Sequence, residues 1–209
     1  MAISTYTELK SAIADWLNRS DLTSVIPTFI SLSEASMERV LRTRNMLTRA
    51  SASIDTQYSA FPADFLEVRS VKLTSVAPIQ PMEFQTMEAM DNLDAKDSAP
   101  GKPIYYSVVG NQLRVHPTPN ATYTAELAYY AKLDKLSNSV SSNWLLTQSP
   151  DAYLYGALLQ AAPYLKDDER VSIWTTLYAA SIQAIQTADE RAATAGGVLK
   201  TRTQAFGVL

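Results

Sequence analysis

Apolar residues recur at intervals of three and four near both ends of this chain and at intervals of two through much of its middle. At the start, Tyr6, Leu9, Ile13, Trp16 and Leu17 fall on one face of a helix. The preceding Thr5-Tyr6-Thr7-Glu8 has the form of a capping box, in which a hydroxyl and a carboxylate satisfy the first free amides. Asn18-Arg19-Ser20-Asp21 breaks the period. Ile26, Phe29, Ile30, Met37, Val40 and Leu41 resume it to about Asn45, with Ser24 as the expected cap and Pro27 in the first turn. The short break predicts an antiparallel helix pair. From Leu47 the texture turns to small, polar and β-branched residues with scattered prolines. A short helix is expected over 82–92 and a strand over Phe65–Leu73. Two further strands, Tyr105–Val109 and Gln112–His116, flank Gly110-Asn111, a two-residue turn of hairpin type. Residues 122–133 place Tyr123, Ala125, Leu127 and Tyr129 at alternate positions, so an antiparallel meander is expected across 105–133.

Residues 138–143 read as a loop, and the helical period returns after Pro150. Leu154, Ala157, Leu158, Ala161 and Leu165 mark one helix, with Pro163 near its end. Asp167, Asp168 and Glu169 then place negative charge where the dipole of a following helix favours it. That helix carries Val171, Trp174, Tyr178, Ile182 and Ile185 to about Ala193, before Gly196-Gly197. The expected fold is α+β: a four-helix bundle formed by the N- and C-terminal helices with an inserted antiparallel β-rich domain. The expected parts are 1–47 and 144–195 for the bundle, 48–143 for the insertion and 196–209 for an extended arm. Trp16, Phe29, Leu158 and Trp174 are expected to share one core.

Composition narrows the function. Eighteen Lys+Arg against 21 Asp+Glu give a net charge of −3, which excludes a general electrostatic nucleic-acid binder. Hydrophobic residues make up 46% of the chain, enough for one core or two small ones. The absence of cysteine removes disulfides, thiolate nucleophiles and Cys-ligated metals. Met-Ala-Ile-Ser-Thr shows no basic stretch followed by an apolar run. No segment reaches the ~20 apolar residues of a membrane span, so a soluble protein made in the cytoplasm is expected.

Candidate chemistry is sparse. His116 is the one imidazole and lies beside Pro117, where an exposed strand end or loop is expected; it has no second histidine with which to share a metal. Asp64 with Glu67, and Asp167 with Asp168 and Glu169, are the densest acidic spots and the available carboxylate pairs for hydrolysis. Neither a dinucleotide fingerprint nor a phosphate loop is present. Arg39, Arg42, Arg44 and Arg49 gather positive charge near the end of the second helix, a candidate intersubunit or channel face. Tyr105, Tyr106, Tyr129, Tyr130, Tyr153 and Tyr155 exceed what a core of this size requires and read as protein-binding aromatics. No catalytic, cofactor or metal site is assigned.

Several segments in order carry a resemblance. Tyr6-Thr7-Glu8-Leu9-Lys10, Trp16-Leu17-Asn18-Arg19 and Ile26-Pro27-Thr28-Phe29-Ile30 lead to Glu34, Glu38 and Leu41-Arg42. Phe61-Pro62-Ala63-Asp64-Phe65-Leu66-Glu67 follows, with Phe61 where the family pattern has Leu. Tyr153 to Gly156 and Tyr164-Leu165-Lys166-Asp167-Asp168 come next, before the helix of Trp174 and Tyr178. Together these resemble the head-to-tail adaptor (connector) proteins of short-tailed phages, over most of the chain to about Arg191. The resemblance implies a structural virion protein, not an enzyme, that forms a homo-dodecamer ring beneath the portal protein. Such a ring extends the DNA channel, passes double-stranded DNA without binding it specifically and offers a platform to the tail nozzle protein. The implied location is the head-to-tail interface of the virion, with the host cytoplasm as the place of assembly and no membrane contact. The competing reading is a virion-associated cell-wall hydrolase using a carboxylate pair. The segment after Thr194, which matches nothing in the family pattern, is expected to be an arm. Val198, Leu199, Lys200, Arg202, Phe206, Val208 and Leu209 would dock it on the portal or a neighbouring subunit.

Overall fold

The computed structural model describes residues 3–165 and 170–194. In chain order the elements are α1 (Tyr6–Leu17), α2 (Ile26–Val40), β1 (Leu47–Ile54), β2 (Tyr58–Ala60), β3 (Phe65–Leu73), β4 (Gln80–Pro81) and β5 (Glu83–Phe84). These are followed by α3 (Met87–Lys96), β6 (Tyr105–Val109), β7 (Gln112–His116), β8 (Tyr123–Ala131), α4 (Trp144–Gln148), α5 (Pro150–Leu165) and α6 (Val171–Thr194). The fold is α+β. It divides into two compact units, one made of the residues up to Arg44 with those from Asp134 onward, the other of Asn45–Leu133.

In the helical unit, α1 starts as its sequence dictates. Thr5 Oγ1 accepts from the Glu8 N–H at 3.3 Å, and Glu8 Oε2 accepts from the Thr5 N–H at 3.0 Å. The helix stops at Asn18, whose φ of 53° puts it in the left-handed region. α2 departs from expectation at both ends. Its N-cap is Val25 without a side-chain bond, not Ser24, because a turn already runs into the helix: the Val25 and Ile26 N–H groups both donate to Leu22 O. It ends at Val40, short of Asn45. Leu41 is extended, and Arg42 Nη1 donates to the carbonyls of Glu38 and Leu41 at 2.8 and 2.6 Å, satisfying helix-end acceptors. α5 packs against α1, α2, α4 and α6, and Tyr153, Ala157, Leu158 and Ala161 along it are fully buried. Gly156 permits this closeness. A Cβ there would lie 2.2 Å from Ser33 Oγ of α2 and 3.0 Å from the Tyr178 ring of α6.

The second unit holds two four-stranded sheets, ordered β1-β8-β3-β4 and β2-β7-β6-β5. The Gly110-Asn111 hairpin forms between β6 and β7, with Gly110 at φ +58° as a primed turn demands. The expected meander stops there. β8 crosses to the other sheet and lies between β1 and β3, antiparallel to both. Its alternating Ala125, Leu127 and Tyr129 bury against Leu113, Val115 and Tyr106 of the facing sheet, closing one core. The insertion is not wholly antiparallel, since β5 runs parallel to β6. The short helix lies later than expected, from Met87, because Thr86 Oγ1 caps it by accepting from the Ala89 N–H, while Met82 enters the sheet core. α3 packs against β6 and β7.

Candidate functional site

Each residue singled out by sequence can be followed to its place. Arg39 is exposed in the last turn of α2, and Arg42 is occupied in capping that helix. The Arg44 N–H donates to Asp189 Oδ1 of α6 at 2.9 Å, and its guanidinium lies 3.8 Å from the same oxygen. Arg49 belongs to the β unit, where it approaches Glu126 at 3.9 Å beside the closer Lys72 at 2.8 Å. Val198, Leu199, Lys200, Arg202, Phe206, Val208 and Leu209 lie outside the described residues, as do Asp167, Asp168 and Glu169.

His116 is not at an exposed end. It is 5% exposed on β7, and its Nδ1 lies 2.6 Å from Asp94 Oδ1. Arg114, two residues earlier and therefore on the same strand face, donates to Asp94 and Asp91, both at 2.6 Å. Asp91 and Asp94 are three apart and share one face of α3. Gln57 adds a third donor to Asp94 at 2.8 Å, and Tyr58 lies under the guanidinium at 5.9 Å. Burial works to raise the Asp94 carboxyl, but the donors from Arg114, His116 and Gln57 together outweigh it and hold the group below the usual carboxylate range. This is a clasp fixing α3 to the sheet through charges. A histidine with a carboxylate also forms two thirds of a nucleophilic triad, yet no hydroxyl or thiol is bonded to this imidazole among the described residues.

A second polar node sits in the helical unit. Glu34 of α2 is 2% exposed, and its Oε1 accepts from the Leu136 N–H at 2.8 Å and from Tyr153 Oη at 3.2 Å. Asn143 donates to Tyr153 Oη at 2.6 Å and to the Asp134 carbonyl at 2.7 Å, while its Oδ1 caps α4 by accepting from the Leu146 N–H. Burial raises the Glu34 carboxyl above its ordinary range, in spite of the hydrogen bonds it accepts, and burial raises the Tyr153 phenol as well. Perturbed acids mark active sites when a substrate can reach them. Here both groups are sealed, and their bonds tie α2, α5 and the irregular 134–143 segment together.

The Phe61-Pro62-Ala63-Asp64-Phe65 segment is a packed turn. Phe61 and Phe65 stack at 3.9 Å, the Phe65 N–H closes on Pro62 O at 3.0 Å, and Asp64 accepts from Tyr129 Oη at 2.9 Å. The carboxylate proposed for hydrolysis thus anchors a core tyrosine. The tyrosines divide in the same way: Tyr106, Tyr129 and Tyr153 are buried, so half of the supposed surface aromatics are core. Exposed apolar residues lie elsewhere. Trp16, expected inside with Phe29, Leu158 and Trp174, is 45% exposed and meets Tyr155 edge-on at 5.8 Å, whereas Trp174 is 2% exposed. Ile173, Tyr164, Val40 and Leu32 are also exposed on the helical unit, and Phe84 and Ile79 on the β unit.

Among the described residues no helix is long and apolar enough to cross a membrane, and no group of three or more histidine and acidic side chains converges to hold a metal. The sequence signals for the two polar nodes were present only as unpaired halves, an i,i+2 Arg/His pair on one strand and an i,i+3 Asp pair on a helix. No curated protein matches the chain. The family model described as SU10 adaptor protein does match, from residue 4 to residue 200, and so takes in the capped first helix, the Phe61–Phe65 turn, both polar nodes and α6. By that match, in agreement with the resemblance to phage head-to-tail adaptors, the chain belongs to the SU10 adaptor protein family.

Proposed function

We propose that this protein is a structural joint of a phage virion: a head-to-tail adaptor that assembles as a dodecameric ring beneath the portal, extends the DNA channel and seats the tail nozzle. The observation that carries the reading is the family match across residues 4–200. The chemistry agrees with it, because the polar clusters built into the described residues are spent on holding elements together. In this proposal the segments 1–47 and 144–195 form the four-helix bundle of each subunit and 48–143 is its β-rich domain. Residues 196–209 are the arm that docks on the portal or a neighbouring subunit through Val198, Leu199, Lys200, Arg202, Phe206, Val208 and Leu209. Arg39, Arg42, Arg44 and Arg49 belong to intersubunit or channel faces. The subunit is made in the host cytoplasm, ends in the virion, carries no cofactor and performs no catalysis. Nothing favours the hydrolase alternative, whose Asp64 is committed to Tyr129.

Native mass spectrometry of the chain alone and mixed with its portal tests the proposal. Monomers or weak oligomers that become portal-bound rings are expected, since a net charge of −3 leaves little repulsion between subunits at high local concentration. A mixture in which both proteins keep their separate masses would sink it.

A further inference from the structure

The β unit contains an edge that natural sheets seldom leave bare. β1 ends its sheet, pairs with β8 in unbroken register through all eight residues, and offers its other side to no strand among the described residues. Edge strands are usually blunted by proline, a bulge or several charges. β1 has no proline, no register shift and one charged residue, Arg49. Facing it across the open side of the sandwich is β2, the edge of the second sheet. Between them lies a groove of about 280 Å³, walled by Ala50, Ala52, Ala60 and Phe61 and floored by Ile54 and Leu113. Alternation along β1 puts Ala50, Ala52 and Ile54 on the core side. Ala50 packs on the core and Ile54 is buried in it, but Ala52 is exposed, because nothing covers the sandwich at that point.

The occupant is written in the same sequence. Beyond the last described residue, Thr194, the chain continues for fifteen residues that alternate with period two. Leu199, Thr201, Thr203 and Ala205 are uncharged and mostly small, whereas Lys200, Arg202 and Gln204 between them are polar. A strand of that pattern has one face for an alanine-walled groove and one for water. Its seven residues from Leu199 to Ala205 nearly match the eight of β1. We infer that residues 199–205 of one copy add as a strand to the free edge of β1 in a second copy, with Leu199, Thr201, Thr203 and Ala205 turned into the groove. Main-chain bonds supply the attachment, and the alternating side chains set its register. Donation from each copy to the next is a head-to-tail contact, the kind that closes into rings. The inference therefore rests on the ring proposed above and assigns one of its contacts.

Because the chain lacks cysteine, single-cysteine variants report this contact without background. Protein carrying Ala52→Cys is mixed with protein carrying Thr203→Cys, assembled with portal and oxidised. An intermolecular disulfide is expected several-fold above that given by Arg202→Cys, whose side chain leaves on the opposite face. Ala60→Cys on the far wall serves as a second acceptor should Ala52→Cys disturb the strand. Rings that form without a disulfide at 199, 201, 203 or 205 overturn the strand donation and leave the adaptor reading standing, as does equal crosslinking at 202 and 203. Absence of any ring overturns the adaptor reading and the donation with it. A disulfide closing within the monomeric double variant Ala52→Cys/Thr203→Cys assigns the groove to the chain's own tail, which also overturns donation to a second copy.

Discussion

Replacing Gly156 by alanine tests whether α2, α5 and α6 approach as closely as they do here. In the interior of an exposed helix this change stabilises by roughly 1 kcal/mol, because alanine loses less backbone entropy than glycine. At Gly156 the new methyl would stand 2.2 Å from Ser33 Oγ and 3.0 Å from the Tyr178 ring, so one or both must move. Overpacking of this kind costs about 1–3 kcal/mol, which cancels or exceeds the propensity gain. The partner substitution separates the two effects. Ser33 Oγ is buried without a hydrogen-bond partner, so Ser33→Ala removes a desolvated hydroxyl and is expected to be neutral or stabilising by up to about 1 kcal/mol. In the double variant the hydroxyl is gone and its β-carbon, 3.4 Å away, remains in ordinary contact. Gly156→Ala should then recover, with a favourable coupling of at least about 1 kcal/mol in the double-mutant cycle. Only the Tyr178 contact is left to absorb. The assay is urea unfolding followed by tryptophan fluorescence, since Trp16, Trp144 and Trp174 all lie in the helical unit and report on it selectively. A single Gly156→Ala variant stabilised by the full propensity gain, or a cycle with no coupling, would refute the close approach.

The other expectations are briefer. Trp174→Ala should cost about 3–5 kcal/mol in the same assay because the ring is 2% exposed, whereas Trp16→Ala, at 45% exposure, should stay near or below about 1 kcal/mol; similar losses would contradict the burial difference. Acid should act oppositely on the two units. The depressed Asp94 carboxyl contributes stability above its unfolded value that is lost as pH falls through its folded value, while the raised Glu34 carboxyl contributes most when protonated and loses that contribution as pH climbs from the unfolded to the folded value. Hydrogen exchange across the acid range should show Asp94→Asn flattening the acid loss in the β unit and Glu34→Gln flattening the rise toward acid in the helical unit, and unchanged slopes would count against both assignments. Free duplex DNA should bind weakly at physiological salt, because a lumen that neutralised phosphates would hold the passing duplex; submicromolar binding lost in Arg39→Ala/Arg42→Ala would make those arginines a nucleic-acid site.

The sequence by itself determined the elements whose signals are complete within a few residues. The Thr5/Glu8 box needs partners three apart, the Gly110-Asn111 hairpin needs two residues flanked by alternating ones, and the stripes of α1, α5 and α6 repeat within single helices. The ordered family segments were legible too, although the role of Phe61 and Asp64 as a stacked, hydroxyl-anchored turn was not. β1 escaped because Leu-Thr-Arg-Ala-Ser-Ala-Ser-Ile carries little hydrophobic signal, and its pairing comes from β8, more than seventy residues away. Only the tertiary structure decided that β8 leaves its hairpin neighbours, that Arg114 and His116 meet Asp91 and Asp94, and that Glu34 reaches Tyr153 across 119 positions. The same holds for two tryptophans on equally apolar stripes, of which one is sealed and the other half open. The physical reason is common to these cases. A local hydrogen bond depends on the few dihedrals between its ends, whereas a long-range contact depends on how every intervening element packs, and no short stretch of sequence holds that information.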